Sequence, residues 1–449
     1  MASVTEIFKR YDIRGLYPDE INGKIAAKIA KAFVIFIKEK YGIEKPKISV
    51  GRDGRNSSPE IYDSVCNALV TSGAIVKSLG LVTTPLAYFS SAIGKSDFSI
   101  MVTASHNPRM YNGLKFSKGV MPVFYENGLV DVLKIYLEGK KIRGIGDIEL
   151  TNIIKDYKRY ILNRFKFKGK RKFVVDAGNG VAGKIFEEIA KELNINYIPL
   201  FFEVNGDFPN HEANPIKEET LSYLKEKVVN ENADFGVAFD GDGDRLGIVD
   251  EKGNFRSMDE VIALLTDWEL NYSKGTIFVD LRCSKFIDEL ASSKGGNIVR
   301  LRVGNPYYKK SLLENKESIF GAELSGHIMF KENYCIDDAI FNLLKILEIF
   351  ENSDQKVSEV LDNYKKYFKS PEINFEVKNK DKVLEAIKEN FKEYEIETTD
   401  GITVKDKDWW FNVRMSNTEP IVRLNAEANS KEKLNEIIDR AKLIIISCE

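Results

Sequence analysis

The sequence predicts an α/β protein with three related α/β domains and a smaller α+β unit at the C-terminal end. Three segments share one pattern, in which an apolar β-branched run is followed by a short polar turn and then a helical periodicity. They are ISVGRDGRNSSPEIYDSV (48–65), KFVVDAGNGVAGKIFEEIA (172–190) and TIFVDLRCSKFIDELA (276–291). Continuous apolar strands followed by helices point to buried parallel sheets in α/β units. The segments recur at intervals close to the size of a small domain, and the 449 residues suit about three or four domains. Beyond them the pattern changes. INFEVKNKDKVLEAIKENF and the closing helix SKEKLNEIIDRAKLII flank strand-like runs, which gives the α+β unit.

The turns between patterns set the expected domains. The first covers 1–150 and ends in a Gly-containing stretch before TNIIKDYKRYILNRF. The second covers 151–255 and ends at the turn EKGNF. Ser257 and Glu260 then have capping-box spacing and open the helix SMDEVIALLTDWEL of the third, 256–367. The fourth, 368–449, begins at KSPEINF.

Composition narrows the function classes. Lysine and arginine total 66 against 68 acidic residues, and this balance argues against a general polyanion binder. Any anion site is therefore a local cluster of cationic groups. The four cysteines are far apart and form no CxxC pair, so neither a zinc site nor a disulfide framework is indicated. No apolar run reaches the roughly 18 residues that span a bilayer, and the N-terminal stretch MASVTEIFKRYDIRG has no apolar core. A cytoplasmic protein without membrane or nucleic-acid partners is expected.

The strand FGVAF is followed by Asp240, Asp242 and Asp244 at alternate positions, with glycines between them. Three carboxylates so close repel unless a cation offsets them, and oxygen-only ligands select a hard ion such as Mg²⁺. An EF-hand is excluded. Its sixth position needs glycine where Arg245 stands, and a strand rather than a helix precedes the loop. Earlier, VTASHNPRMYNGLK (102–115) sets Ser105 beside His106 in a Gly/Asn/Pro turn. Taken alone, that turn suits a hydrolase serine or ordinary loop chemistry. Later, RMSNTEP (414–420) gathers Arg414, Ser416, Asn417 and Thr418 in one turn, with Arg423 close behind, and these groups make an anion cradle. A metal-dependent phosphatase and a cation-dependent binding protein are rival readings. The binding protein leaves TASHNP and RMSNTEP unexplained.

TASHNP, DGDGDR, ELSGH and RMSNTEP in this order resemble the α-D-phosphohexomutase family, on its phosphomannomutase/phosphoglucomutase branch. FKRYDIRG (8–15), GRDGR (51–55) and PNHEANP (209–215) extend the resemblance over the whole chain. It implies four domains around a central cleft, the first three with mixed sheets. It implies an intramolecular phosphotransferase that interconverts hexose 1-phosphate and hexose 6-phosphate, of glucose or mannose, with phosphoglucosamine mutase as the alternative. Ser105 would be the phosphoserine. Ser105, Asp240, Asp242 and Asp244 would hold one Mg²⁺ per subunit, and glucose 1,6-bisphosphate would be intermediate and activator. Tyr11, Arg14 and Arg245 would lie beside the reacting phosphate. Lys115, its pKa lowered by burial and nearby cations, would carry the sugar hydroxyl proton with help from His106. Glu323, Ser325 and His327 would contact the sugar. Arg414, Ser416, Asn417, Thr418 and Arg423 would hold the distal phosphate. A monomer or homodimer acting on small hexose phosphates is implied.

Four departures from the family pattern stand out. Ala322 replaces the usual glycine and Leu324 the usual methionine of the sugar loop, the leucine leaning toward neutral hexoses, Asn305 replaces a histidine, and Met415 replaces a proline in the phosphate loop. GRDGRNSSPE and His211 of PNHEANP are expected to be structural.

Overall fold

The computed structural model describes residues 4–416 and 421–448. Four sheets follow one another along the chain. The three apolar runs become the strands Lys47–Arg52, Lys172–Asp176 and Thr276–Asp280, each with a parallel neighbour on both sides. In every one of these sheets, one parallel neighbour then turns back into an antiparallel strand. Phe98–Val102 turns into Tyr111–Lys118, Phe235–Phe239 into Leu246–Asp250, and Ser318–Ala322 into Ile328–Phe330. The sheets are therefore mixed, as the family resemblance implied; the apolar runs by themselves pointed only to the parallel part. Leu246–Asp250 is antiparallel yet buried at every position. An uninterrupted apolar run reports burial of both faces, not the direction of the neighbouring strand.

This shared topology positions the site. The turn-back loops 103–110, 240–245 and 323–327 occupy equivalent places in three sheets. They are the loops that carry TASHNP, DGDGDR and ELSGH. The first sheet adds the edge strand Ile13–Leu16, antiparallel to Tyr111–Lys118, with Arg14 opposite Gly113. A Cβ at Gly113 would lie 2.0 Å from Ile13 O, so only glycine lets these strands approach. Arg14 is thereby set beside the Ser105 loop.

The fourth sheet is antiparallel. Ile373–Glu376 and Phe368–Lys369 pair with Ile421–Ala428, followed by Trp409–Met415, Ile402–Lys405 and Glu395–Glu397. One hydrophobic core runs from Leu79 of the first sheet through the second and third sheets, whereas the fourth sheet packs its own core with the helices Lys380–Asn390 and Lys431–Ser447. The first three loops thus share a packed foundation. The last unit meets the third domain through polar contacts, among them Lys285 N to Glu427 Oε1 at 2.9 Å and Val303 N to Asp400 Oδ2 at 3.3 Å. Among the described residues no helix is long and apolar enough to cross a membrane.

The expected capping box at Ser257 is half formed. Ser257 Oγ accepts from Glu260 N at 3.4 Å, but the Glu260 carboxylate takes Arg256 Nε at 2.7 Å instead of returning to the cap. A buried guanidinium outcompetes a backbone N–H for one carboxylate.

Candidate active site

Ser105 is buried, 1% exposed, and the next two residues of its loop, His106 and Asn107, line a cleft. Its backbone is left-handed, with φ 51°, a strained conformation for serine. Two bonds hold it there. Ser105 N donates to Thr103 Oγ1 at 2.9 Å, and Arg55 Nη2 donates to Ser105 O at 2.7 Å. Ser105 Oγ donates to Asp240 Oδ2 at 2.7 Å and lies 3.2 Å from His106 Nδ1.

The second loop meets the first edge on. Gly243 adopts φ 75°, and a Cβ on Gly241 would sit 2.8 Å from Ser105 O. Glycine is needed at both positions for Asp240, Asp242 and Asp244 to converge beside the serine. All three are buried, and one ligand oxygen from each lies within 4.8 Å of the others. Asp240 Oδ1 accepts from the backbone N–H of Asp244 and Arg245. Asp242 Oδ2 accepts from Thr84 Oγ1 at 2.6 Å and Thr103 Oγ1 at 3.2 Å. Asp242 Oδ1 and Asp244 Oδ1 are buried without a hydrogen bond. Orphaned carboxylate oxygens in an all-oxygen cluster fit a hard divalent cation.

Lys115 departs from expectation. Its ammonium lies 2.8 Å from Asp242 Oδ2 and 2.7 Å from Asp244 Oδ2. Burial works to lower its pKa, but the two carboxylates outweigh burial and hold it well above the ordinary lysine value. The sequence shows the nearby cations; it does not show that two carboxylates from another domain reach the amine. His106 shifts the other way. Burial, then the charges of Arg245 and Arg14, push it well below the usual histidine value, and it stays neutral.

The remaining residues line the same cleft, whose volume of about 720 Å³ falls in the usual small-molecule range of roughly 300–1,000 Å³. Arg14 is half-buried and held by Asp12 Oδ2 at 2.7 Å and Asn107 Oδ1 at 2.5 Å. Tyr11 OH donates to Val303 O at 2.8 Å, joining the first domain to the third. Arg245 Nε donates to His327 Nε2 at 2.9 Å, so that nitrogen carries no proton and the other faces Asp337 at 3.3 Å. Glu323 accepts from Gly304 N at 2.8 Å, and burial raises its pKa. Ser325 Oγ is buried without a partner and faces the same space.

Arg414 and Arg423 pair across two strands of the fourth sheet, with Ser416 following. Asn417 and Thr418 lie outside the described residues. Arg414, Ser416 and Arg423 belong to the fourth domain and are not among the residues that line the cleft. Leu324 packs against the hydrophobic core and does not line the cleft, so no direct contact supports the sugar preference expected from it. Asn305 does line it, but its Nδ2 donates to Asp337 Oδ2 at 2.7 Å.

Several residues that build the site were not among the expected site residues. Arg55, read only as structural, donates to the carbonyls of Ser105, Asn107, Pro108 and Tyr111. GRDGR therefore builds the Ser105 loop. The available signal was an arginine two positions after Asp53 in a turn, and that spacing does not reveal its targets. Also missed were Asp12, Thr84 and Asp337, which hold Arg14, Asp242 and Asn305, and Lys309, whose ammonium lies 2.5 Å from Asp337 Oδ1. His211 lies behind the acidic loop, 3.0 Å from Asp176 Oδ2, and outside the cleft.

Comparison with known proteins agrees with this geometry. Four protein-family models match in order: the phosphoglucomutase/phosphomannomutase alpha/beta/alpha domains I (residues 5–122), II (155–253) and III (257–367), and the C-terminal domain (372–443). The chain is 36% identical to a phosphomannomutase of Methanocaldococcus jannaschii over 98% of its own length and 97% of that protein. It is 35% identical to a phosphomannomutase/phosphoglucomutase of Pseudomonas aeruginosa, over 96% and 93%. A crystal structure of a phosphoglucomutase/phosphomannomutase family protein from Burkholderia thailandensis superposes with a TM-score of 0.92 at 30% identity, covering 100% of this chain and 98% of that one. The chain belongs to the phosphoglucomutase/phosphomannomutase family of intramolecular phosphotransferases.

Proposed function

We propose that the protein interconverts hexose 1-phosphate and hexose 6-phosphate through a phosphoserine at Ser105 and a hexose 1,6-bisphosphate intermediate. The observation that carries the reading is Ser105 Oγ, buried in the loop that lines the cleft with His106 and Asn107 and 2.7 Å from the first carboxylate of an all-oxygen cluster. Phosphoryl transfer rests on positioning and charge stabilisation. Asp240, Asp242, Asp244 and Ser105 would hold one Mg²⁺, which when bound offsets the negative charge of the phosphoserine.

In the first half-reaction a sugar hydroxyl attacks the phosphoserine phosphorus. The P–O bond to Ser105 Oγ breaks, the proton of the attacking hydroxyl ends on Ser105 Oγ, and serine is regained. The bisphosphate reorients, Ser105 Oγ attacks its other phosphate, and the isomeric monophosphate leaves. Neutral His106 Nδ1 is a base 3.2 Å from Ser105 Oγ, and Lys115 is a proton donor held in place by Asp242 and Asp244. Arg14 and Arg245 supply donors to the transferring group. Glu323 and Ser325 address the sugar hydroxyls, while Arg414, Ser416 and Arg423 bind the phosphate that is not reacting and so orient the other end.

Intact mass and peptide mapping test this. Treatment with glucose 1,6-bisphosphate and Mg²⁺ adds one phosphate to the peptide containing Ser105, and Ser105→Ala abolishes both the modification and mutase turnover. Undiminished turnover in Ser105→Ala refutes the mechanism. Comparing kcat/KM on glucose, mannose and glucosamine 1-phosphates identifies the sugar.

A further inference from the structure

Glu372 opens the strand Ile373–Glu376, in the KSPEINF stretch that marks the start of the fourth domain. Three guanidinium groups meet on its carboxylate. Arg282 Nη1 lies 3.1 Å and Arg414 Nη2 2.9 Å from Oε2, and Arg423 Nη1 lies 3.1 Å from Oε1. Asn425 Nδ2 adds a longer contact of 3.4 Å. The arginines come from two domains. Arg282 stands just past the strand Thr276–Asp280 of the third, while Arg414 and Arg423 face each other on neighbouring strands of the fourth.

Three like charges do not gather in one place unless an anion holds them. Asp280 holds Arg282 from behind, with Oδ2 2.5 Å from its Nη2. Glu372 is the one carboxylate that contacts all three arginines among the described residues. It engages Arg414 through a single nitrogen. Arg414 Nε is buried and makes no hydrogen bond, so that guanidinium keeps a donor for a second anion.

We propose that Glu372 is the positioning residue of the distal phosphate site. Its carboxylate sets the Arg414 and Arg423 guanidinium groups at the spacing a phosphate dianion needs. Through Arg282 it also makes that spacing depend on the fourth domain being docked on the third. The proposal rests on the reading of Arg414 and Arg423 as phosphate donors.

The test uses the full chain, with inorganic phosphate binding by calorimetry and steady-state kinetics on glucose 1-phosphate. Glu372→Gln keeps the shape and removes the charge. It is expected to weaken phosphate binding and raise KM by about tenfold, a consequence of misplaced donors, and to lower kcat at saturation as well, because the distal phosphate no longer orients the reacting end. Glu372→Asp retains the charge on a shorter stem and gives an intermediate loss, which serves if the glutamine variant folds poorly. In the Arg414→Gln background, Glu372→Gln adds little, since the two act as a unit. Equal or tighter phosphate binding in Glu372→Gln overturns the proposal, and tighter binding identifies Glu372 as a competing anion. If Arg414→Gln itself leaves phosphate binding and KM unchanged, the underlying reading of the phosphate site is what fails.

Discussion

Arg55 offers the sharpest test of how the reactive loop is held. Its side chain is fully buried. It donates to four carbonyls of the loop and its following strand, at 2.6–3.0 Å, and its Nε bonds Asp53 at 3.1 Å. Arg55→Lys keeps the charge but replaces a five-donor fork by three donors on one nitrogen. If one donor stays on Asp53, two of the four carbonyls lose their partner. A hydrogen bond to a charged group contributes about 1.5–3 kcal/mol, so the loss is about 3–6 kcal/mol. Against a total stability of about 5–15 kcal/mol, that is large. The left-handed Ser105 backbone also loses its anchor, and a displacement of about 1 Å costs about 10²-fold in rate. Urea unfolding reads the stability. The rate of phosphate incorporation from glucose 1,6-bisphosphate, measured at a temperature where the variant is folded, reads the geometry. A variant with the wild-type urea midpoint and phosphorylation rate would refute the view that Arg55 holds the loop.

Further outcomes follow from the same geometry. If the carboxylate cluster holds Mg²⁺ as proposed, the ion binds the folded and not the unfolded chain and should raise the melting temperature; at one hundred times its Kd the gain is about 2.7 kcal/mol. Asp244→Asn should abolish that rise, and a persistent Mg²⁺-dependent shift would place the cation elsewhere. His211 is a pH probe away from the cleft. Burial lowers its pKa, but the hydrogen bond and charge of Asp176 outweigh burial and raise it. A raised histidine contributes stability that is fully present below its unfolded value of about 6.5 and is lost as pH rises through the folded value. Urea midpoints should therefore fall as pH rises from about 6.5. His211→Asn should flatten that fall with little change in turnover, and an unchanged slope would assign the pH dependence to another group.

The chain order of chemistry-bearing residues was legible in the sequence because each loop concentrates its signal in consecutive residues. Asp240, Asp242 and Asp244 need only glycines between them to converge, and a turn holding Ser105 and His106 needs only Asn, Pro and Gly. The α/β character was legible because strands buried on both faces read as unbroken apolar runs. Strand direction was not, since burial is the same for either neighbour, and the antiparallel turn-backs that align the three loops appear only in the assembled sheets. The tertiary structure also decided the protonation of the site. Lys115 is raised by Asp242 and Asp244, carboxylates more than a hundred residues away, and His106 is lowered by burial and by Arg245 and Arg14. Electrostatic coupling depends on distance in space, on which local sequence is silent. The same holds for Arg55 and Glu372. Each is an ordinary charged residue in a turn, and its role comes from carbonyls or guanidinium groups delivered by other parts of the chain.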